Sequence, residues 1–498
     1  MAAAHPLMAR ARIAALAVSL LGLLAVAPAP PAVAAGNGSL TLLRGKAGCL
    51  SATTWRYKPG CARIRGLRRP GDVAVSPDGR NVYASSPISN TIAVFGRSAR
   101  TGALRQLHGR TGCLNPTGRY GCGRARGLRT ASGIEVSGDG RNVYVQSLEA
   151  LAVFRRDPRT GALRQLPGKA GCVGDRPRER SRQGCAAGRA LAAQFDLTLS
   201  PSGRFVYVAS GWYVESAPSQ GGIAVFRRDP RRGRLAQLPG AAGCVTALGR
   251  QHCGQARSMP RLGANQVVLD RGGGTLYATA SGTFTGLIVF DRLRGGGLRQ
   301  LSGPAGCVSG GGAGGCTPAR AFEALHGLAA SPAGIDNLYA STSFSVFPGV
   351  RHGSVFNLVR DKATGALSQP AGAVGCVSWD GGGDGCASTH SQMNAAGAVA
   401  VSRDGRNVYA PLISELGGAG MVVFARNRAT GELFQLPGPA GCLAHAPTPG
   451  CADSGGLAAS AIALSPDGRN AYVTSGSGSP SGTGLPPYYA LAVYKRAR

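Results

Sequence analysis

One phrase recurs seven times along this chain of 498 residues, and the recurrence constrains the fold more than any other property. It reads V-A-V-S-P-D-G-R-N-V-Y, then I-A-V-F-x-R-D, then T-G-A-L-x-Q-L-P-G-x-A-G-C. Its first part falls at Val73–Tyr83, Ile134–Tyr144, Leu197–Tyr207, Val267–Tyr277, Leu328–Tyr339, Val399–Tyr409 and Ile462–Tyr472. A period of about 65 residues exceeds that of the common propeller repeats, yet each unit holds four short strands and their turns.

In the first unit, short β-branched and aromatic runs bounded by Gly, Pro and Asp predict strand A at Asp72–Val75 and strand B at Asn81–Ser85. Strand C is expected at Thr91–Arg97 and strand D at Leu104–Leu107. Ser76-Pro77-Asp78-Gly79 and Asp157-Pro158-Arg159-Thr160-Gly161 have the residue order of tight turns. The last unit ends after a strand C at Ala490–Arg496. Near the start of the chain, Gly38–Cys49 (GSLTLLRGKAGC) matches Gly161–Cys172 (GALRQLPGKAGC). The N-terminal strand therefore completes the last blade and covers an otherwise open edge. The expectation is an all-β, seven-bladed β-propeller with four antiparallel strands per blade.

Residues 1–35 read as a secretory signal: Arg10 and Arg12 precede an apolar stretch from Ile13 to Ala27, and Ala32-Val33-Ala34 offers a cleavage site. The stretch is short for a membrane span, and no later one is longer. Residues 36–498 then form a single domain, expected to be a monomer, secreted or periplasmic. The fourteen cysteines make seven close pairs: Cys49 with Cys61, Cys113 with Cys122, Cys172 with Cys185, Cys244 with Cys253, Cys307 with Cys316, Cys376 with Cys386 and Cys442 with Cys451. One pair per repeat, beside an export signal, predicts local disulfides in the loops between strand D of one blade and strand A of the next. No His recurs with them as a zinc site would need, so neither metal nor cofactor is expected.

The formal charge is +32; loss of Arg10 and Arg12 with the signal leaves +30, carried mostly by Arg. Such a charge suits an anionic partner. Connectivity puts the D–A and B–C loops on one face, which carries the disulfide loops and the insertions Gly211–Gly221, Ser343–Gly353 and Ser475–Tyr489. There the Arg residues are uneven. Arg63, Arg65, Arg68 and Arg69 stand in the first D–A loop and Arg124 and Arg126 in the second, with Arg176, Arg178, Arg180 and Arg182 in the third. The last three loops hold Asp380, Asp384 and Asp453 instead. All three tryptophans, Trp55, Trp212 and Trp379, fall on the same face. Basic and aromatic loops on a rigid scaffold predict a binding face for an anionic glycan or cell-envelope polymer. The tyrosine repeated at Tyr83 and its six equivalents reads as packing. Nucleic acid fits the charge, but no recognition motif accompanies it.

The blade phrase, S-P-D-G-R-N-V-Y with I-A-V-F and T-G-A-L-x-Q-L, resembles the seven-bladed lactonase family of 6-phosphogluconolactonase-like and carboxymuconate-cyclase-like propellers. The resemblance spans nearly all of Gly38–Arg498 and rests on blade-forming residues. It implies a lactone hydrolase or cyclase with its site at the central mouth, acting on a small carboxylated lactone. Candidate chemistry lies where polar residues break the repeat near strand A. Asp72, Asp196 and His326 precede the strand, and Glu135 stands within it where Ala74, Ala329, Ala400 and Ala463 are the equivalents. A base for water and donors for an oxyanion are what lactone opening needs. G-x-S-x-G, H-E-x-x-H and P-loop motifs are absent.

Overall fold

The computed structural model describes residues 37–498 apart from 53–56, 149, 176–183, 212–220, 262, 281–285, 321, 323–324, 343–352, 380, 382–384, 392, 394–396, 413–418, 445–446, 456–458 and 476–488. The signal segment, Trp55, Trp212, Arg176, Arg178, Arg180, Arg182, Asp380, Asp384 and most of the three B–C insertions lie outside the described residues.

Seven sheets form the ring, and each is built alike. In the second blade, strand A (Ile134–Val136), strand B (Asn142–Gln146) and strand C (Leu151–Arg156) run antiparallel from the inside outward. The outer edge is richer than the four strands expected. Strand D comes in two pieces, Leu163–Gln165 and Cys172–Gly174, which both pair with strand C. Between them lies a 3-10 turn, Gly168–Gly171. A short strand E, Ala186–Ala187, then runs parallel to the second piece. The repeated G-x-A-G-C explains the break, since a Cβ on Gly171 would lie 2.3 Å from the carbonyl oxygen of Leu166. Only glycine lets the chain fold back so tightly there.

All seven predicted disulfides are present. Cys49 is bonded to Cys61, Cys113 to Cys122, Cys172 to Cys185 and Cys244 to Cys253, with Cα–Cα separations of 4.7 to 4.8 Å. Cys307 is bonded to Cys316, Cys376 to Cys386 and Cys442 to Cys451, at 4.8 to 4.9 Å. Their setting corrects the expectation that both cysteines of a pair lie in a loop. The first cysteine of each pair opens the second piece of strand D and so belongs to the sheet. Only its partner (Cys61, Cys122, Cys185, Cys253, Cys316, Cys386 or Cys451) stands outside a strand, immediately before strand E of its blade. The cause is the glycine turn, which returns the chain to strand C just ahead of the first cysteine. Each bond thus ties down the parallel pair as well as the loop between its ends. The ring closes as expected. Leu40–Leu42 and Cys49–Ala52 both pair with Ala490–Arg496, so the N-terminal segment is strand D of the last blade.

The core lies in the seams between blades. One apolar cluster joins Val82, Ala84 and Phe95 of the first blade to Tyr472, Leu491 and Val493 of the last. A polar staple crosses four of the seven seams beside it. The last residue of strand C in the second blade, Arg156, reaches back to the first blade. It donates to Tyr83 Oη (2.8 Å), to Asn81 Oδ1 (2.6 Å) and to both oxygens of Asp78 (3.0 and 2.8 Å). Tyr83 in turn donates to the carbonyl of Gly161 in the second blade, 2.9 Å away. Arg228 with Asp139 and Tyr144, Arg97 with Asp467 and Tyr472, and Arg496 with Asp404 and Tyr409 repeat the arrangement. The repeated tyrosines thus carry a buried hydroxyl that bridges blades as well as packing. At the closing seam, Tyr409 donates to Gly38 of the N-terminal segment (2.8 Å).

The Asp side of the staple is half-exposed, whereas the Arg156 side chain is 1% exposed. Removing the carboxylate strands a desolvated guanidinium, so Asp78→Ala is expected to cost about 2 kcal/mol, read as a lower chemical-denaturation midpoint. Burial works to raise the carboxyl of Asp467, but hydrogen bonds from Ser465 and Arg97 outweigh it and hold the pKa at about 2. A depressed folded pKa contributes stability above the unfolded value that is lost as pH falls through the folded one. Stability followed from pH 5 to pH 2 should therefore fall, and less steeply in Asp467→Asn. A flat profile in the wild type would contradict the staple's ionic character.

Candidate active site in the channel wall

Strand A is the innermost strand of every blade and adjoins strand A of its neighbours, so repeat-breaking side chains on it lie close to the axis of the ring. Asp72 immediately precedes this strand (Val73–Val75) in the first blade and clamps two blades together. Its Oδ1 accepts from Val73 N (2.7 Å) and its Oδ2 from Ile134 N of the second blade (2.9 Å). Asp196 repeats the clamp between the third and fourth blades, accepting from Leu197 N (2.8 Å) and Val267 N (2.9 Å). Both aspartates are thereby oriented by the backbone.

Glu135 differs. It lies opposite Tyr144 in the second blade, and its carboxyl has no hydrogen-bond partner among the described residues. Desolvation, then the charges of Asp72 and Asp196, push its pKa up to about 8. Desolvation raises Asp196 to about 7, opposed by the Val267 amide and aided by Asp72. Asp72 is raised to about 6 by desolvation against its two amide bonds. The three carboxyls form one electrostatic cluster across blades one to three. At neutral pH they cannot all be charged.

His326 is not part of that cluster. Strand A of the fifth blade runs Leu325–Ala330, and its register jumps from Leu325↔Thr342 to Gly327↔Ser341, leaving His326 as a bulged residue. A bulge re-aims a side chain. This one leaves the imidazole exposed to solvent, with burial of its surroundings lowering its pKa. Similar register shifts occur in strand A of blades three and four.

Two further polar residues escaped the sequence reading. Gln146 is fully buried, and neither end of its carboxamide has a partner among the described residues. It follows Tyr144 by two places, so it shares the face of the second blade that carries Glu135. Tyr144 bonds Gly233 of the third blade, so that face meets the third blade. Gln266, at the bulge of the fourth blade, has a buried Oε1 without a partner among the described residues. A signal for Gln146 existed. Other blades place Ser85, Ser341 or Thr474 there, and those hydroxyls donate to Ser132, Gly397 and Gly71 of the next blade.

The loop face is partly used for structure. Arg65 donates to the carbonyls of Gly109 (2.8 Å) and Gly121 (3.2 Å), while its backbone N–H donates to Gln106 (3.0 Å). Arg126 repeats this with Gly168 and Gln165, and Arg189, Arg257 and Arg320 continue the series. These guanidinium groups hold the 3-10 turns. Arg68 is half-buried, with its carbonyl accepting from Ser86. Arg63, Arg69 and Arg124 are exposed, and Arg63 lies 5.1 Å from the ring centre of Tyr57. Trp379 is half-buried against the apolar seam of blades five and six.

Sign and direction follow for Glu135. An acid whose folded pKa exceeds its unfolded value loses its contribution to stability as pH rises through that interval. Glu135→Gln is thus expected to gain stability over the wild type from about pH 4.5 to 8, the range of its shift. Denaturation midpoints at pH 5 and pH 8.5 check this, and an equal gap at both would refute the raised pKa.

No protein-family model matches the chain, and no curated protein is similar to it in sequence. Among solved structures it is similar to a candidate 6-phosphogluconolactonase from Bacteroides uniformis, with 17% identity over 74% of this chain and 84% of that one and a TM-score of 0.45. A second such protein, from Bacteroides fragilis, gives 16% identity over 80% and 92% of the two chains and a TM-score of 0.47. Hydrazine synthase of Kuenenia stuttgartiensis gives 13% identity, coverage of 84% and 96%, and a TM-score of 0.47. These are likenesses of the ring of blades.

Proposed function

We propose that the protein is a lactone hydrolase whose reaction centre is the carboxyl cluster in the channel wall. The observation that carries this reading is Glu135: a desolvated carboxyl without a protein partner among the described residues, set between two aspartates that the backbone holds in place. Perturbed carboxyls with unequal environments divide into acid and base. Glu135 retains its proton at neutral pH and donates it as a hydrogen bond to the lactone carbonyl. Asp196 in its ionised form takes a proton from the attacking water. Water adds to the carbonyl carbon, the oxyanion collapses, and the ring C–O bond breaks. The leaving alkoxide takes up that proton, giving a hydroxy acid. A wall already holding three carboxyls disfavours an anionic substrate, so an uncharged lactone fits better than a carboxylated or phosphorylated one.

Base uptake at fixed pH against neutral, carboxylated and phosphorylated lactones tests the reading. Turnover should be greatest for a neutral lactone, rise through about pH 7 and fall above about pH 8, as the shifts of Asp196 and Glu135 require. Glu135→Gln should lower it at least about a hundredfold without loss of the folded, disulfide-bonded ring. No turnover by intact protein would defeat it. A second reading, a binding propeller for an anionic glycan, is supported by exposed Arg63 stacked on Tyr57 and by exposed Arg124. Salt-sensitive glycan binding lost in Arg63→Glu with Arg124→Glu, in a protein without turnover, would favour it.

A further inference from the structure

The opposite face of the ring carries a second, more regular array of charge. Five A–B turns of the form S-x-x-G-R end in an arginine, and Arg80, Arg141, Arg204, Arg406 and Arg469 are all exposed. The aspartates in these turns do not neutralise them. Asp78, Asp139, Asp404 and Asp467 form ion pairs with the buried Arg156, Arg228, Arg496 and Arg97, at 2.8 to 3.1 Å. Each such turn therefore presents one uncompensated guanidinium. The turns also touch around the ring: Gly79 abuts Pro466, Gly140 abuts Pro77 and Gly273 abuts Pro201. They lie as an inner circle on this face.

The C–D turns set a second, outer circle of exposed cations that includes Arg100, Arg159, Arg231, Arg232 and Arg428. Asp157, Asp229 and Asp361 offset part of this circle, each accepting backbone N–H groups within its own turn. Between the last two blades, a cleft of about 450 Å³ is lined by Arg403, Arg406 and Arg498 together with Asp404 and Asp467. Both acids there already have buried arginine partners. Of the large apolar residues exposed among the described ones, only Leu293 lies in a turn of this face.

We infer that this face docks onto a surface of anionic lipid headgroups. The turns are short and alike, so the cations are spread in circles over one end of the ring rather than lined along a groove. A planar array of negative charge can meet all of them at once, whereas a single linear polymer follows only one track. The cleft supplies a place for one phosphate among three guanidinium groups. With almost no exposed apolar surface to insert, attachment is electrostatic, peripheral and reversible, and each cation near the headgroups contributes independently.

Vesicle co-sedimentation tests this with the full disulfide-bonded protein. It should bind vesicles of equal parts phosphatidylglycerol and phosphatidylcholine at low salt, release as salt rises, and ignore phosphatidylcholine alone. Replacing Arg80, Arg141, Arg406 and Arg469 by Ala keeps their backbone N–H bonds to the turn aspartates. Each change should lower partitioning about fivefold. Arg63→Ala with Arg124→Ala, on the other face, should leave binding unchanged and keeps the test independent of folding. No binding to anionic vesicles at low salt overturns the inference. So does equal loss in the two sets of variants, or binding to heparin or polyphosphate without binding to vesicles.

Discussion

The ring depends on a buried guanidinium at the outer end of strand C. At four of the seven seams it reaches back to the tyrosine hydroxyl, asparagine amide and carboxylate of the preceding blade, and Arg426 meets Tyr339, Asn337 and Ser331 at another. Arg156 shows the full set, and its tyrosine closes the circuit by donating to the glycine of the next C–D turn. A desolvated arginine is tolerable only where acceptors surround its guanidinium, as they do at Arg156. The requirement spans two blades, so neither can shift without exposing an unpaired charge. Apolar seams hold the blades together, and the staple decides where they sit. It also shapes the electrostatics of the turn face, because it consumes the acids of that rim and leaves the arginines facing solvent.

The two faces divide their work differently. On the loop side, arginines at one place in the repeat cap the carbonyls of the 3-10 turns, and glutamines from strand D hold their backbone. Seven disulfides secure the same region. Much of the positive charge there is structural, which is why a count of Arg per loop overstates the surface open to a ligand. On the turn side the assignment is reversed: the structural arginines are buried and the exposed ones are spare. Between the faces, the channel wall departs from the repeat only at a few side chains.

Those departures concentrate chemistry. Asp72 and Asp196 have structural partners for both carboxylate oxygens, and Glu135 has none among the described residues. Their raised pKa values share one first cause, burial, to which like charge adds for Asp196 and Glu135. Carboxylates so placed reduce one another's ionisation, and the group without hydrogen-bond donors keeps its proton longest. Gln146 on the same sheet face adds an amide whose two ends lack partners among the described residues, where other blades use a hydroxyl to join the next blade.

The repeat, its phase and the match between Gly38–Cys49 and Gly161–Cys172 were enough to determine seven blades, the closure of the ring and the pairing of all cysteines. Each of these is a local pattern copied seven times, so turn chemistry and strand alternation express it without long-range information. Repeat-breaking also singled out Asp72, Glu135 and Asp196. The sequence could not show that strand D breaks at a glycine turn and continues, because that break depends on a carbonyl five residues away. For the same reason it left Cys172 and Cys185 alike in a loop, whereas the structure puts the first in the sheet and the second at its edge. Nor could it separate Arg65 and Arg126 from Arg63 and Arg124, since all four stand in similar basic loops. Tertiary structure decided which guanidinium meets carbonyls of a neighbouring blade and which meets water. It also set Glu135 between two carboxyls from other blades, some sixty residues away in either direction. A carboxyl's charge state is a property of its surroundings, and those surroundings exist only once the ring has closed.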